Sequence, residues 1–246
     1  MRFNVLTLFP EIFSTLDFGI TGQARKKNLY EINILNIRDF AENKHKNIDG
    51  KPYGGGEGML ISVEPLTRCI RSIEKDKLGK VIYMSPQGRK INHKEVNKLK
   101  DLNHLTIVCG RYEGIDQRFI DNYVDEELSI GDFVLSGGEY PALCLIDSII
   151  RNIPMALGNQ DSALKDTFSN GLLKGPQYTR PENFENQHIP KVLISGNHKE
   201  IDDWRDKESL RKTMKLRPDL INNVKLTKKQ KNSWKKSILR ISYSTF

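Results

Sequence analysis

The pattern of apolar and polar positions along residues 1–150 predicts short buried strands that are separated by helices. Five segments have the apolar content and the length of strands: Arg2–Phe9, Glu31–Ile37, Val81–Met84, Leu105–Cys109 and Glu127–Ile130. Helical spacing, or a typical helix start, marks the segments between and after them: Pro10-Glu11, Met59–Ile73, Asn92–Asp101, Asp116–Tyr123 and Glu139–Ile150. Strands that alternate with helices are typical of an α/β fold with a parallel sheet.

The pattern changes after residue 155, where small and polar residues replace the alternation of strands and helices. We expect a first domain over residues 1–160 and an interdomain linker over 161–175. A small, mainly helical domain is expected over 176–246. Its candidate core residues are Trp204, Leu210, Met214, Leu216, Leu220 and Trp234.

The net charge of +8 is concentrated in the last quarter of the chain. Residues 1–190 contain 24 Lys and Arg against 25 Asp and Glu, whereas residues 191–246 contain 15 against 6. Such a basic segment fits a polyanionic partner such as a nucleic acid, although a merely solubilising surface has the same composition.

Three successive predicted strands end in turns that contain glycine. The turns are Ser85–Gly88, Gly110–Gly114 and Ile130–Gly138. In open α/β sheets, ligands bind beyond the carboxyl ends of the strands, and glycine lets a backbone approach a ligand closely. Three such turns at comparable places therefore predict a small-molecule pocket built largely from backbone groups.

Several classes of protein are disfavoured by what the sequence lacks. There is no G-x-G-x-x-G after the first strand and no G-x-x-x-x-G-K-[ST], so a conventional dinucleotide or phosphate loop is not expected. The three cysteines, Cys69, Cys109 and Cys144, form no C-x-x-C pair and are expected to be free, buried thiols. No apolar run approaches the roughly 20 residues that span a bilayer, and no signal peptide is evident. We therefore expect a cytoplasmic protein without membrane contact.

Motifs along the whole chain resemble those of the bacterial tRNA (guanine-N1)-methyltransferase family, which belongs to the trefoil-knotted SPOUT class. The run Gly110-Arg111-Tyr112-Glu113-Gly114-Ile115-Asp116 is the most specific of them. The other motifs are Leu8–Glu11, Arg38–Phe40, Pro52–Gly56, Ser85–Gly88, Ser129–Asp132, Leu135–Glu139, Tyr178–Pro181 and Leu193–His198.

The resemblance implies a knotted α/β domain whose three loops hold S-adenosylmethionine as methyl donor. The matching positions are Tyr83, Ser85, Pro86, Gln87, Gly110, Tyr112, Glu113, Ile130, Gly131, Asp132, Phe133, Val134, Leu135, Gly137, Gly138 and Pro141. It also implies a homodimer, in which the partner's linker and C-terminal domain complete each site. The implied substrate is the anticodon stem-loop of tRNA, methylated on N1 of the guanine at position 37, next to the anticodon.

The chemistry of this reaction defines the catalytic groups that are needed. Neutral guanine keeps a proton on N1, so a base must remove it while a cationic donor stabilises charge that develops on O6. By resemblance, Asp166 is the general base and Arg151 the stabiliser of O6. Glu113 is a candidate magnesium ligand, with a purely structural carboxylate as the alternative.

Two positions depart from the family pattern, and two other functions remain open. Glu57 replaces a proline in the loop Gly54–Met59, and Phe133 replaces a common tyrosine. The alternatives are a knotted-fold RNA ribose 2′-O-methyltransferase and a non-enzymatic RNA-binding protein that uses the basic C-terminal domain. Binding of S-adenosylmethionine without RNA separates the enzymes from the binding protein.

Overall fold

The computed structural model describes residues 1–42, 44–158, 166–222 and 224. The chain divides into two compact units, Met1–Gln160 and Asp161–Phe246.

A parallel sheet forms the centre of the first unit. Its strands, among the described residues, are β1 (Arg2–Thr7), β2 (Glu31–Asn36), β5 (Lys80–Lys90), β6 (His104–Cys109) and β7 (Glu126–Ser129). Their order across the sheet is β2-β1-β6-β5-β7, and every neighbouring pair is parallel. The predicted α/β class with a parallel sheet is therefore confirmed.

Helices connect the strands of this sheet, as parallel pairing requires. They are α1 (Gly19–Lys26), α2 (Val63–Arg71), α3 (Lys75–Leu78), α4 (His93–Leu99), α5 (Gln117–Tyr123) and α6 (Glu139–Ile150). Side chains start two of them: Asn92 accepts a hydrogen bond from the Glu95 amide, and Asp116 accepts one from the Arg118 amide. The helix that begins at Pro10 is a 3₁₀ helix.

The apolar core lies on both faces of the sheet because successive side chains of a strand point to opposite sides. Phe3 and Val5 pack on one face with α6, whereas Leu6 packs on the other with α2. Each such fully buried apolar side chain contributes about 1.5–3 kcal/mol to folding.

Cys69 and Cys109 belong to this core, but Cys144 is exposed on α6, so the expectation of three buried thiols is wrong for Cys144.

Strand β5 is longer than its sequence pattern predicts. The prediction ends it at Met84, but the strand resumes after residues 85–88 bulge out of the ladder, so that Met84 and Arg89 both lie opposite Leu128 of β7. A second difference concerns residues 60–61, predicted as helix. They form strand β4 (Leu60–Ile61), which pairs with β3 (Asp49–Gly50).

The described part of the second unit is helical with one hairpin. Strands β8 (Asn183–Phe184) and β9 (Gln187–His188) precede α7 (His198–Leu216) and α8 (Pro218–Ile221). Leu210 packs with Leu172 and Ile221, and Met214 packs against them. Of the other predicted core residues, Trp204 and Leu220 are half-buried, Leu216 is exposed, and Trp234 lies outside the described residues.

No helix in the described ranges combines the length and the apolar character needed to cross a bilayer.

Candidate functional site

A cavity of about 260 Å³ lies in the first unit, around the ends of β6 and β7, the bulge of β5 and the start of α6. Every position that the resemblance assigns to the methyl donor lines it, except Asp132: Tyr83, Ser85, Pro86, Gln87, Gly110, Tyr112, Glu113, Ile130, Gly131, Phe133, Val134, Leu135, Gly137, Gly138 and Pro141. The volume is just below the range of about 300–1,000 Å³ usual for small organic ligands.

The first loop of the cavity is the bulge of β5, residues 85–88. Ser85 is buried, and its hydroxyl accepts a hydrogen bond from the Gln87 amide at 3.2 Å. A Cβ on Gly88 would lie 2.5 Å from the backbone of β7, so only glycine allows this close approach. The bulge is thus held against β7 while Ser85, Pro86 and Gln87 line the cavity.

Tyr83 precedes this loop and packs beneath the second one. Burial, with the negative charge of Glu127 as a smaller cause, raises the pKa of the Tyr83 hydroxyl to about 12. A Cβ on Gly110 would lie 2.7 Å from that hydroxyl oxygen. A side chain at position 110 would therefore collide with Tyr83, and the backbone of Gly110 also lines the cavity.

The second loop, residues 110–114, turns sharply at Tyr112, whose φ of 60° lies in the left-handed region. The Gly114 amide closes the turn by donating to the Arg111 carbonyl oxygen at 3.1 Å. The Glu113 amide donates to the carbonyl oxygen of Met59 at 3.0 Å. Gly58, with a φ of +78°, packs so closely on the Glu113 side chain that a Cβ there would lie 2.5 Å from its Cγ.

The third loop, residues 130–138, presents backbone donors and exposed apolar side chains. Phe133 is 54% exposed and Val134 is 83% exposed. Within the described part of the chain, the amide groups of residues 133–136 donate no hydrogen bond to another residue. Because a backbone N–H needs a partner, these donors are available to water or to acceptors of a ligand.

Asp132 is the predicted site residue that does not line the cavity. Its exposed carboxylate forms an ion pair with the ammonium group of Lys90, at the end of β5. The opposite charge of Lys90 accounts for this placement.

An ion pair behind the cavity was not assigned from the sequence. Arg111 lines the cavity, and its Nε lies 2.8 Å from Oε2 of Glu139, which is fully buried. The two atoms are close but not aligned as a hydrogen bond. Both residues belong to motifs of the resemblance. A single carboxylate at the start of the apolar helix α6 is the sequence feature that indicates a buried partner for Glu139. The other unassigned lining residues are Met84, Gly114, Leu128, Ser129 and Ser136.

The two predicted catalytic residues lie in different units of the chain. Arg151 is half-buried at the C-terminal end of α6, where its amide donates to the Asp147 carbonyl oxygen at 3.0 Å. Asp166 is half-buried in the second unit, where its carboxylate accepts a hydrogen bond from the Thr167 amide at 2.9 Å.

Among the described residues, Glu113 contributes the carboxylate in the lining of the cavity. In the described ranges, no group of three or more His, Cys, Asp or Glu side chains converges on one point. Magnesium is commonly bound by one or two carboxylates together with water and substrate oxygens, so Glu113 would be the protein ligand of such an ion.

The fold and the cavity together define a class: a parallel α/β protein with a small-molecule cavity built by loops at the carboxyl ends of its strands. Within that class, the chain belongs to the tRNA (guanine-1)-methyltransferase family. The family model described as "tRNA (Guanine-1)-methyltransferase TrmD" matches residues 1–223.

Curated relatives agree with this family over almost the whole chain. A tRNA (guanine-N(1)-)-methyltransferase of Vibrio vulnificus (strain YJ016) is 52% identical over 233 residues, which are 94% of each chain. The protein of the same name from Photobacterium profundum is 51% identical over the same shares. That of Shewanella sediminis is 52% identical and covers 94% of this chain and 96% of its own.

Proposed function

We propose that this chain transfers a methyl group from S-adenosylmethionine to N1 of the guanine at position 37 of tRNA, next to the anticodon. The observation that carries the proposal is the family match over residues 1–223, with identities of 51–52% to curated relatives of that name. The cavity formed by the three loops supplies a place for the donor in the same unit.

The cavity suits a methyl donor that has hydrogen-bonding groups at its edges and a positive charge without a counterion of its own. The amide groups of residues 133–136, which donate to no other described residue, suit acceptors such as ring nitrogens, and the walls contributed by Ile130 and Leu135 are apolar. Glu113 places a carboxylate in the lining, and the charge of Arg111 is balanced by Glu139. When bound, S-adenosylmethionine supplies a methyl group that its sulfonium already activates.

Two side chains perform the proton chemistry in this proposal. The Asp166 carboxylate accepts the proton of guanine N1, which frees the nitrogen lone pair for attack. The Arg151 guanidinium donates to O6 and stabilises the negative charge that develops there. Placing the methyl group in line with N1 lowers the barrier further, because the two reacting groups are then held together before reaction.

We further propose that residues 1–160 form a trefoil-knotted SPOUT domain, that 161–175 form a linker, and that the basic residues 176–246 bind the anticodon stem-loop. The proposed assembly is a cytoplasmic homodimer in which the partner's linker and C-terminal domain complete each site.

The two alternatives are not favoured by the family match. A ribose 2′-O-methyltransferase would deprotonate a sugar hydroxyl, and a non-enzymatic RNA-binding protein would not need a donor cavity. One experiment separates all three: incubation with tRNA and isotope-labelled S-adenosylmethionine, followed by mass spectrometry of the nucleosides.

The expected product is labelled 1-methylguanosine, with none formed from a tRNA transcript that has adenosine at position 37. Calorimetry should show donor binding without RNA. Labelled 2′-O-methylguanosine would favour the first alternative, and RNA binding without methylation or donor binding would favour the second.

A further inference from the structure

We propose that Glu139 and Arg111 are positioning residues that tie the second and third loops together and so set the affinity of the cavity for the methyl donor. This inference rests on the proposed function, because it assigns the cavity to S-adenosylmethionine. It adds that the buried ion pair between Glu139 and Arg111 sets how tightly the cavity binds the donor.

Arg111 is the point at which the two loops meet. Its Nη1 donates to the Ser136 carbonyl oxygen of the third loop at 3.1 Å. The backbones also meet there, since Arg111 pairs with Gly137 and the Gly138 amide donates to the Gly110 carbonyl oxygen at 2.9 Å. The third loop, whose amide groups 133–136 are free, is therefore fixed at its C-terminal end through Arg111.

Glu139 in turn fixes Arg111 and connects it to β1. One carboxylate oxygen, Oε2, lies 2.8 Å from Nε of Arg111. The other, Oε1, accepts a hydrogen bond from the Thr7 hydroxyl at 2.9 Å, and that hydroxyl accepts one from the Phe9 amide at 3.0 Å. The Phe9 ring lies 4.4 Å from the Arg111 guanidinium carbon and covers it.

The burial of this pair indicates a role in geometry. Glu139 is fully buried and the Arg111 side chain is only 16% exposed, so both charges have lost most of their hydration. A buried ion pair contributes little net stability compared with apolar residues of the same size, but removing one partner leaves an uncompensated charge. The attraction between the two charges keeps the Arg111 guanidinium beside Glu139, where it also contacts the Ser136 carbonyl oxygen.

Gly137 shows how closely the second and third loops pack around the Arg111 guanidinium group. A Cβ on Gly137 would lie 2.2 Å from Nε of Arg111. The guanidinium therefore occupies the space that a side chain at position 137 would need. A change in the orientation of Arg111 moves the backbone at Gly137, and with it the end of the loop that lines the cavity.

The test compares donor affinity in three variants of the full-length protein. Calorimetry gives the dissociation constants of S-adenosylmethionine and S-adenosylhomocysteine for the unmodified protein, Glu139→Gln, Arg111→Lys and the double variant Arg111→Met/Glu139→Gln. We expect each variant to bind the donor about tenfold or more weakly, because each loses the Arg111 guanidinium that links the loops, the Glu139 carboxylate that holds it, or both. Affinity for tRNA should stay unchanged.

The double variant separates positioning from stability. It removes both charges, so its thermal midpoint should approach that of the unmodified protein, while its donor affinity stays low. Its dissociation constants for the two ligands should rise by the same factor, because the loops hold the parts that both ligands share. Glu74→Gln, which breaks an exposed pair with Lys77 on α3, is the matched control and should bind like the unmodified protein.

The outcomes distinguish the inference from the proposed function. If the unmodified protein binds neither ligand, the proposed function fails. If it binds S-adenosylmethionine and the double variant binds equally well, the positioning role is refuted. A loss confined to S-adenosylmethionine in the double variant also refutes it, since the pair would then act on the sulfonium charge alone.

Discussion

At the scale of single residues, the reaction depends on the proton of guanine N1 and on Asp166, the residue proposed to accept it. Asp166→Asn keeps the shape of the side chain and removes its basicity. We expect the single-turnover methylation rate to fall by about 10²–10⁴-fold, the usual contribution of a general base, while donor and tRNA dissociation constants stay within a factor of two or so. Near-normal methylation by this variant would show that another group takes the proton.

Gly110 provides a second prediction at this scale. Gly110→Ala places a Cβ 2.7 Å from the Tyr83 hydroxyl, so either the second loop or Tyr83 must shift. Since both line the cavity, the dissociation constant of S-adenosylmethionine should rise at least about tenfold, with little change for tRNA. Gly158→Ala is the control, because its Cβ meets no atom of the described residues within 4 Å. Equal donor affinities for the two variants would place the ligand away from this loop.

Single residues also show where sequence patterns stop being informative. The glycine-containing turns predicted a small-molecule cavity, and the resemblance to the family supplied the positions that line it, of which only Asp132 lies elsewhere. The contacts between distant residues were not predictable. The pairing of Arg111 with Glu139, 28 positions apart, depends on where the sheet places β6 beside the start of α6, and hydrophobic periodicity carries no information on that distance.

At the scale of secondary-structure elements, an ion-pair network around Arg89 stabilises the part of β5 that follows its bulge. Arg89 forms ion pairs with Glu126 of β7 and with Glu95 of α4, and Lys80 also pairs with Glu126 at 2.7 Å. Burial alone would raise the pKa of Glu126, but Lys80 and Arg89 outweigh it and hold the pKa below its ordinary value of 4.5. The ionised carboxylate thus helps to close the strand after the bulge.

This network makes stability depend on pH in a definite direction. A carboxylate whose pKa is lowered by folding stabilises the protein above its ordinary pKa, and this contribution disappears as pH falls through the lowered value. Glu126→Gln should therefore reduce the urea midpoint at pH 7, and the difference from the unmodified protein should shrink below about pH 4.5. A difference that stays constant down to pH 3 would contradict the assignment. Glu74→Gln, in an exposed pair, should have little effect at pH 7.

Elements with a strong pattern were predicted well, and irregular ones were not. The continuous burial of β1 and β6 and the apolar character of α6 follow from their hydrophobic patterns. The sequence Ser85–Gly88 has the composition of a turn, so β5 was expected to end there, and nothing local shows that Arg89 rejoins the ladder. The two-residue strands of β3, β4 and the β8–β9 hairpin are too short to produce a pattern.

At the scale of the whole molecule, the excess of positive charge and the residues that line the cavity lie in different parts of the chain. The excess of positive charge lies in residues 191–246, with 15 Lys and Arg against 6 Asp and Glu, whereas every cavity-lining residue precedes residue 142. Each Lys or Arg that neutralises a phosphate releases counterions and steepens the salt dependence of binding. We therefore expect phosphate contacts to come mainly from the C-terminal part.

A fragment of residues 1–160, which is the first compact unit, tests this separation. Once circular dichroism shows that it is folded, it should bind S-adenosylmethionine with nearly full affinity. Its tRNA binding should be weaker, with a flatter dependence on salt, and methylation should be lost because Asp166 is missing. A fragment that keeps the full salt slope would place the RNA surface on the first unit.

The free amide groups of residues 133–136 affect how resistance to an inhibitor could arise. Every amino acid except proline carries the same backbone N–H, so replacing Phe133, Val134, Leu135 or Ser136 changes the wall of the cavity without removing a donor. A competitive inhibitor that uses these donors shares them with the natural methyl donor, and mutations that weaken one weaken the other. Selection under such a compound should therefore enrich raised expression or reduced uptake, and sequencing of resistant isolates should find this loop largely unchanged.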